Sequence, residues 1–309
     1  MSREVCGFVL DDGPILVTGA GGFVGKRLME LFDLGEGDYA ADVSTMFTAP
    51  DEVTKINWQL PGEPSSALGK VRYVIHLGGL SSVAYSKGNA DLFNKVNTKG
   101  TASVINLISK HSPEALLLFI SSAEVYKPSK TKLIEESPVE PQNIYAESKY
   151  AAEKLLKDSD IKWIVSRSFP HFGPGQSGNF VLPSFCRRII NSIETGTHEM
   201  VTGNLSPVRD YLYIDDVVRA YAALLANGKL EEVYNVCSGK GNSIKSLLDY
   251  LLEVSGAELT VVTDPKLLRQ KDQFCQIGDS SKLAGLGWNP QFSIKDSISE
   301  LYHWWKERL

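Results

Sequence analysis

Short apolar runs alternate with longer segments of helical apolar spacing along the first part of the chain. The continuous apolar runs are typical of buried parallel strands and cover Pro14 to Thr18, Val71 to Leu77, Leu116 to Ile120 and Trp163 to Ser166. The segments with helical spacing cover Lys26 to Leu34, Asn89 to His111 and Ile144 to Lys157. This alternation predicts an α/β fold with a doubly wound parallel sheet.

The pattern changes after Phe169, where prolines and glycines are concentrated and predict a loop. A helix is expected from Asn179 to Ile193, and Val208 to Ile214 predicts a single strand. Asp215 and Asp216 are then expected to cap a helix that ends at Leu225.

A last predicted strand, Val233 to Cys237, precedes a helix that Ser243 is expected to cap and that ends at Val254. We therefore predict that the sheet domain comprises residues 1–169 and 208–237. Residues 170–207 and 238–309 are predicted to form a smaller C-terminal substrate-binding lobe.

Glycines lie between the first predicted strand and the first predicted helix, in the spacing Gly-x-x-Gly-x-x-Gly. Gly19 permits a tight turn, Gly22 lets the backbone approach a pyrophosphate, and Gly25 lets helix and strand pack closely. Phe23 and Val24 complete the segment, which leads into the helix N-terminus where phosphates bind to exposed amides. A glycine-rich loop alone is often only a turn, but the strand–loop–helix context predicts a Rossmann-type NAD(P) site.

Asp42 lies in a short predicted strand, Tyr39 to Val43, about 20 residues past the glycine loop. A carboxylate at that position can hold the adenosine ribose hydroxyls of NAD. The cations that could instead bind the 2′-phosphate of NADP are Lys26, Arg27 and Lys55. The pattern favours NAD over NADP; the alternative is a loop aspartate.

Tyr145 and Lys149 are four residues apart in a predicted helix and therefore lie on one face of it. A phenol titrates near 10, and we expect the lysine ammonium to lower the pKa of Tyr145 toward neutral pH. Ser121 and Ser122 follow the strand Leu116 to Ile120, at the carboxyl edge where open α/β sheets bind ligands. Together these side chains predict acid–base chemistry, whereas the motif alone would also fit a solvated helix face.

The composition is that of an ordinary globular protein, with 43% hydrophobic and 22% charged residues among 309. A net charge of -5 without a basic stripe argues against a nucleic-acid partner. The cysteines Cys6, Cys186, Cys237 and Cys275 have no metal spacing and are expected to be reduced thiols of a cytoplasmic protein. We expect no membrane span and no signal peptide, and the segment from Met1 to Gly13 has no assigned role.

The glycine loop, Ser122 at a strand end and Tyr145-x-x-x-Lys149, in that order, resemble the extended short-chain dehydrogenases/reductases. Segments in the C-terminal half are similar to the branch of this family that contains GDP-4-keto-6-deoxy-D-mannose reductase. The segments that carry this similarity are Arg167–Gln176, Phe180–Pro183, Arg209–Tyr211, Tyr234–Gly239 and Asp264–Arg269. The chain departs from the family pattern at Gln59, Lys127 and Pro170, the last of which replaces an asparagine that helps to hold a substrate diphosphate.

The resemblance implies that Ser122 is the catalytic hydroxyl, Tyr145 the proton donor and Lys149 its partner. Glu124 is either an active-site residue, as in related dehydratases, or a loop glutamate that points into solvent. Further residues implied for the cofactor are Leu77, Gly78, Gly79, Asn97 and Phe169. Those implied for the substrate, with Arg209 and Arg269 as a diphosphate clamp, are Ser81, Ser82, Pro170, His171, Asn179, Phe180, Val181, Arg188, Arg209 and Arg269.

The implied activity is NAD(P)H-dependent reduction of the C4 ketone of a nucleotide-diphosphate 4-keto-6-deoxyhexose in deoxysugar biosynthesis, with a GDP sugar favoured. The alternatives are a nucleotide-sugar 4-epimerase or 4,6-dehydratase on the same scaffold, and a non-catalytic NAD(P)-binding sensor. The resemblance also implies a homodimer joined by a four-helix bundle of the helices near Asn89 to His111 and Ile144 to Lys157.

Overall fold

A seven-stranded parallel sheet is the centre of this computed structural model, which describes residues 2–66, 68–267 and 275–309. The strands of the described residues are β1 (Ser2–Val5), β2 (Phe8–Asp11), β3 (Ile15–Thr18), β4 (Tyr39–Asp42), β5 (Thr54–Asn57), β6 (Tyr73–His76), β7 (Leu116–Ser122), β8 (Lys162–Ser168), β9 (His171–Phe172), β10 (Glu199–Thr202), β11 (Val208–Arg209), β12 (Leu212–Tyr213), β13 (Glu232–Val236), β14 (Asn242–Ser243), β15 (Thr260–Thr263) and β16 (Cys275–Gln276). The order in the central sheet is β13-β8-β7-β6-β3-β4-β5. The predicted doubly wound parallel sheet is confirmed.

Helices cover both faces of this sheet. The α-helices of the described residues are α1 (Phe23–Leu31), α2 (Val83–Ser86), α3 (Ala90–Phe93), α4 (Gly100–His111), α5 (Ile144–Lys157), α6 (Val181–Thr195), α7 (Ile214–Asn227), α8 (Ile244–Ser255), α9 (Ser281–Ala284) and α10 (Ile294–Lys306). A π-helical section, Asn94–Lys99, joins α3 to α4, so the predicted helix from Asn89 to His111 contains a change of helical pitch.

Alternation of side chains along β3 shows how the apolar runs make two cores. Ile15 and Val17 pack on the face covered by α1 and α7, whereas Leu16 packs on the face covered by α4 and α5. All three side chains are fully buried. A strand buried on both faces needs apolar residues at every position, which is why the sequence shows continuous runs rather than alternation.

The segment before the sheet forms a hairpin of β1 and β2 that packs against α7. Val5 and Leu10 are buried in the core, and Arg3 pairs with Asp38 at 2.6 Å. The described part of the segment without an assigned role, residues 2–13, therefore packs against the core through this hairpin.

The prediction of one strand from Val208 to Ile214 is wrong, because β11 and β12 belong to different small sheets. Asp210 lies between them, fully buried, and its carboxylate accepts N–H groups of Ser238, Gly239 and Gly278 at 2.8, 2.9 and 3.2 Å. The chain turns at Asp210, and this turn places the buried carboxylate against its N–H donors. The segment from Val208 to Ile214 is therefore divided into two short strands.

The predicted capping of α7 by Asp215 and Asp216 is also wrong, since Tyr213 occupies the N-cap and its side chain makes no capping bond. Both aspartates lie in the first turn instead. Asp215 binds Arg27, and Asp216 accepts the backbone N–H of Gln291 at 2.9 Å. Ser243, in contrast, caps α8 as predicted, by accepting the N–H of Ser246 at 3.0 Å.

Smaller sheets accompany the second half of the chain: β10 with β15, β11 with β14 and β16, and β9 with β12. Helices α6, α8 and α10 pack on one another in this half. Within the described ranges, no helix has the length and apolar character needed to cross a lipid bilayer.

Replacing Asp210 by asparagine keeps the side-chain shape but places an amide NH2 opposite buried N–H donors. We expect Asp210→Asn to lower the free energy of unfolding by about 1–3 kcal/mol, measured by urea denaturation, because those donors lose their acceptor. The control Asp249→Asn removes an exposed ion pair with Lys245 and should change stability by less than about 1 kcal/mol. Equal losses in both variants would contradict the structural role of Asp210.

Candidate active site

The glycine loop has room for backbone only. Gly19 is left-handed, with a φ of +72°, and a Cβ there would lie 2.7 Å from the Gly78 nitrogen. A Cβ on Gly25 would lie 2.4 Å from the Gly19 carbonyl oxygen. Gly22 is the N-cap of α1, so the amides of the first helical turn begin at the loop. A turn without side chains at a helix N-terminus matches what a dinucleotide pyrophosphate requires.

Phe23 connects this loop to the predicted substrate loop. Its ring stacks on His171, with centroids 6.2 Å apart and an interplanar angle of 12°. Val24 beside it is half-buried. Burial lowers the pKa of His171, and the hydrogen bond of Nδ1 with the Phe169 carbonyl oxygen opposes this shift. His171 therefore serves as a neutral packing residue here.

Asp42 ends β4 beside the glycine loop. Its Oδ2 accepts the N–H of Gly21 at 2.9 Å, and its Oδ1 accepts the N–H of Val43 at 2.7 Å. Arg27 is bound by both oxygens of Asp215 at 2.6 Å. Lys55 lies over the Phe47 ring at 5.8 Å. Of the three cations considered for a 2′-phosphate, Arg27 is thus held by Asp215, whereas Lys55 is exposed and lies over a ring that adjoins Gly21.

The end of β6 lies against both the glycine loop and α5. The N–H of Gly78 donates to Thr18 Oγ1 at 3.2 Å, and Leu77 donates to the Thr18 carbonyl oxygen at 3.1 Å. A Cβ on Gly79 would lie 2.9 Å from Asn97 Oδ1 and 3.6 Å from Lys149 Nζ. Because Gly78 and Gly79 have no side chains, the backbone that follows β6 can pass close to Thr18, Asn97 and Lys149.

Just past this edge, Ser81 is exposed, and Ser82 caps the short helix α2 by accepting the N–H of Tyr85 at 3.2 Å.

His76 links these elements from inside the protein, and the sequence analysis missed it. Its Nδ1 lies 2.6 Å from Thr18 Oγ1 and its Nε2 lies 3.1 Å from Thr101 Oγ1. Thr101 donates its own proton to the Asn97 carbonyl oxygen at 2.7 Å, so Nε2 must donate and Nδ1 must accept. Burial lowers the pKa of His76 to about 3, with the charge of Lys149 adding to the shift, so the ring is neutral.

Asn97 extends the same network to α5. Its Nδ2 donates to the Leu80 carbonyl oxygen at 3.0 Å and to Ser148 Oγ at 2.9 Å, while its Oδ1 accepts the N–H of Leu80 at 2.8 Å. Ser148 in turn donates to the carbonyl oxygen of Tyr145 at 2.7 Å. The amide group of Asn97 thus makes hydrogen bonds both to Leu80, after β6, and to Ser148 in α5.

Ser122 and Tyr145 lie near each other at the carboxyl end of β7, close enough for the Ser122 hydroxyl to affect the pKa of Tyr145. Burial raises the pKa of Tyr145 to about 12; the Ser122 hydrogen bond opposes this shift, and the charge of Glu124 adds to it. The expected lowering of this pKa by Lys149 is therefore wrong for the protein alone. Lys149 Nζ instead donates to the Ile120 carbonyl oxygen at 2.8 Å. Burial lowers the pKa of Lys149 itself to about 8, against the attraction of Glu153.

Glu124 lies in a 3-10 turn, Ala123–Val125, directly after β7. Its Oε2 accepts a hydrogen bond from Asn143 Nδ2 at 2.9 Å. The side chain is half-buried and close enough to Tyr145 to affect its titration. Of the two sequence alternatives, the structure therefore favours a position beside Tyr145 over a free solvent-facing side chain.

Asn143 itself was missed, although an asparagine just before a predicted helix is a capping signal. Its hydrogen bond with Glu124, 19 residues earlier in the chain, is not indicated by the sequence around either residue.

The predicted substrate residues are spread along a more open surface. Asn179, Phe180 and Val181 are exposed at the start of α6, and Phe169 is buried. The carbonyl oxygen of Pro170 accepts the N–H of Leu212 at 2.9 Å.

The two predicted arginines of α6 and β11 occupy different places. Arg188 donates to the Val201 carbonyl oxygen, and it lines a cavity of about 560 Å³ between α6 and β10. Arg209, in β11, is half-buried opposite Gln276 in β16. Arg269 lies outside the described residues, so the proposed clamp is described at Arg209 alone.

The chain matches the model of the NAD dependent epimerase/dehydratase family over residues 15–237. It is 31% identical to GDP-6-deoxy-D-mannose reductase of Pseudomonas aeruginosa over 96% of this chain and 98% of that protein. It is 30% identical to GDP-6-deoxy-D-talose 4-dehydrogenase of Aggregatibacter actinomycetemcomitans over 96% of this chain and 98% of that protein. It is also similar to the solved structure of RMD from Pseudomonas aeruginosa complexed with NADPH. The TM-score is 0.81 and the identity 30%, over 96% of this chain and all of that one.

Asp42→Ala removes the carboxylate at the end of β4. We expect it to weaken NADH binding about tenfold or more and NADPH binding less, because the carboxylate accepts ribose hydroxyls and repels a 2′-phosphate. Fluorescence titration with each cofactor measures the ratio, and Asp51→Ala, an exposed aspartate before β5, is the control. A native protein that already prefers NADPH by a wide margin would contradict this assignment and direct attention to Lys26 and Lys55.

Proposed function

The chain belongs to the NAD dependent epimerase/dehydratase family, and from this premise we propose that it is a nucleotide-sugar reductase. It uses NAD(P)H to reduce the C4 ketone of a nucleotide-diphosphate 4-keto-6-deoxyhexose, with a GDP sugar favoured. Similarity over almost the full length to a reductase and a 4-dehydrogenase of GDP-6-deoxy sugars supports this choice. The observation that carries it is the placement of Ser122 at the end of β7, against which α5 packs with Tyr145 and Lys149. Burial raises the pKa of Tyr145 to about 12, which keeps the phenol protonated.

Ser122 and Tyr145 supply hydrogen bonds and the proton. Ser122 lies at the strand end and can donate to the ketone oxygen, which orients the carbonyl and withdraws charge from it. Tyr145 then transfers its proton to the same oxygen as negative charge develops there. A phenol that is neutral throughout the working pH range suits this donor role.

Lys149 supports the donor from the same helix. Its pKa of about 8 leaves an exchangeable proton near neutral pH, and its Nζ is held at the Ile120 carbonyl oxygen, next to the strand end. In this proposal Lys149 helps to return a proton to Tyr145 after turnover.

The cofactor is held by the amides and glycines of the loop from Gly19 to Gly25 and by Asp42 at the ribose. When bound, the reduced nicotinamide supplies the hydride that C4 receives. Asn97 and Gly79 keep the β6 edge close to Lys149, so the reactive end of the site is built on rigid elements.

The substrate-side assignments stay part of the proposal. Arg209 binds the substrate diphosphate with forked, charge-assisted hydrogen bonds, and Arg188 lies near the nucleotide. The chain is proposed to form a homodimer through the helices α4 and α5, which would pack as a four-helix bundle with those of a second copy.

A second candidate is a 4,6-dehydratase or 4-epimerase on the same scaffold. It is favoured by the position of Glu124 beside Tyr145, because a dehydratase needs a carboxylate base near its acid–base tyrosine. Ala123 stands where a second acid would assist departure of a hydroxyl.

Tyr145→Phe keeps the ring packing against Phe93 and removes only the proton. We expect turnover to fall about 100-fold or more, with NADH affinity nearly unchanged. The control Tyr150→Phe alters a half-exposed tyrosine one turn along the same helix and should keep full activity. Full activity in Tyr145→Phe would defeat the assignment of the donor.

The reductase and dehydratase readings differ in their need for an external reductant. We expect NAD(P)H to be consumed in a one-to-one ratio with a 4-keto-6-deoxy nucleotide sugar, and Glu124→Gln to retain roughly a tenth or more of the activity at neutral pH. The second arm incubates the protein with GDP-mannose and no reductant. Steady formation of a 4-keto product, abolished in Glu124→Gln, would establish the dehydratase instead.

A further inference from the structure

A chain of buried hydrogen bonds runs from the cofactor loop to α4, and the ring of His76 at the end of β6 is its central member. The N–H of Gly78 donates to Thr18 Oγ1 at 3.2 Å, and Thr18 Oγ1 lies 2.6 Å from His76 Nδ1. On the other side of the ring, His76 Nε2 lies 3.1 Å from Thr101 Oγ1. Thr18, His76 and Thr101 are 2%, 0% and 1% exposed, so each polar group depends on the next one for its partner.

The direction of the protons in this chain follows from its two ends. Thr101 gives its hydroxyl proton to the Asn97 carbonyl oxygen at 2.7 Å, so its oxygen accepts from His76 Nε2. A neutral imidazole carries one proton, and Nδ1 must therefore accept the hydroxyl proton of Thr18. With that proton directed at the ring, the oxygen of Thr18 is oriented to accept the N–H of Gly78.

The first end of the chain fixes the backbone that separates the cofactor loop from the catalytic lysine. A Cβ on Gly19 would lie 2.7 Å from the Gly78 nitrogen, so the loop and the β6 edge are in direct contact. A Cβ on Gly79 would lie 3.6 Å from Lys149 Nζ. A shift of this edge would therefore change the space on the cofactor side and the position of the edge against Lys149 together.

The second end of the chain reaches α5 through Asn97. Its carbonyl oxygen, which Thr101 binds, belongs to the π-helical section Asn94–Lys99, a type of element that is frequent at functional sites. Its side chain donates to Ser148 Oγ at 2.9 Å, and Ser148 donates to the carbonyl oxygen of Tyr145 at 2.7 Å. Hydrogen bonds thus continue from the ring of His76 to the backbone of the residue that carries the acid–base phenol.

We propose that His76 is a positioning residue that couples the cofactor-binding edge of β6 to α5, so that a bound nicotinamide cofactor and the pair Tyr145 and Lys149 keep one register. The ring is fully buried, transfers no proton in the reaction and acts through its two threonine neighbours. The inference rests on the proposed function for the roles of Tyr145 and Lys149. Its effect on NAD(P)H binding can be measured without any sugar substrate.

The decisive experiment changes a hydroxyl of α4 and measures cofactor affinity. Thr101→Val nearly keeps the side-chain shape and removes the oxygen that accepts from His76. We expect the Kd of NADH and of NADPH, measured by fluorescence titration, to rise about 3–10-fold. The matched control is Thr195→Val, since Thr195 also donates to the carbonyl oxygen four residues earlier, that of Asn191 at 2.8 Å, but lies at the exposed end of α6. Its Kd values should equal those of the native protein.

A double-variant comparison shows whether the effect passes through the ring. His76→Leu removes both hydrogen bonds of the imidazole and should raise the Kd at least as much as Thr101→Val. In that background, Thr101→Val should add less than about twofold, because one chain can be broken only once. His76→Asn restores an acceptor near the position of Nδ1 and should recover part of the affinity. If His76→Leu does not fold, His76→Asn, whose side chain is too short to reach Thr101, replaces it as the background.

A second readout is the tautomer of His76, given by the 15N shifts of its ring in the native protein. We expect a protonated Nε2 and an unprotonated Nδ1 between about pH 5 and pH 8. The opposite tautomer would overturn the inference, because the chain would then run in the wrong direction.

A native Kd in the folded Thr101→Val protein would also overturn it, even if urea denaturation showed a loss of stability, since that result indicates a purely structural role. Fold-changes that multiply in the double variant would show that Thr101 acts independently of His76, with the same consequence. If the couplings are found but the native protein reduces no keto sugar, the proposed function fails and the positioning role stands. A native protein that binds neither NADH nor NADPH would contradict both.

Discussion

A buried ion pair between Glu153 of α5 and Arg167 of β8 fixes the geometry on which the catalytic end of the site depends. Glu153 is 0% exposed and Arg167 3%, and the guanidinium donates to both carboxylate oxygens, at 3.1 and 2.8 Å. Ser121 adds a third donor at 2.5 Å. Loss of one partner from such a pair leaves a buried charge uncompensated, at a cost of about 3–5 kcal/mol.

The position of this pair matters because of its neighbours. Ser121 precedes Ser122 on β7, and Glu153 lies two turns beyond Tyr145 on α5, so the pair sets the register between strand end and helix. The neutral ring of His76 adds a second link, from Thr18 before the glycine loop to Thr101 behind the π-helical section. Buried hydrogen bonds thus join the end of β3, the π-helical section and α5, while the residues at the start of α6 remain exposed.

Local signals explain which elements could be predicted. The helix Ile144–Lys157 has the predicted bounds, because its helical apolar spacing is continuous over this segment. The glycine loop could be predicted because the strand, the turn and the helix are each defined by residues that are adjacent in the sequence. Val208 to Ile214 was misread since its apolar spacing is that of a strand, and the buried carboxylate of Asp210 is satisfied only by residues 28 or more positions away.

The sequence by itself determined the fold class, the cofactor loop and the spacing of Tyr145 and Lys149, because each is encoded within a few consecutive residues. Only the tertiary structure decided their chemical state. Burial raises the pKa of Tyr145 and lowers that of Lys149, and Lys149 binds a backbone carbonyl rather than acting on the phenol. Desolvation and long-range hydrogen bonds, such as that of Asn143 with Glu124, depend on which segments pack together, and no local pattern records them.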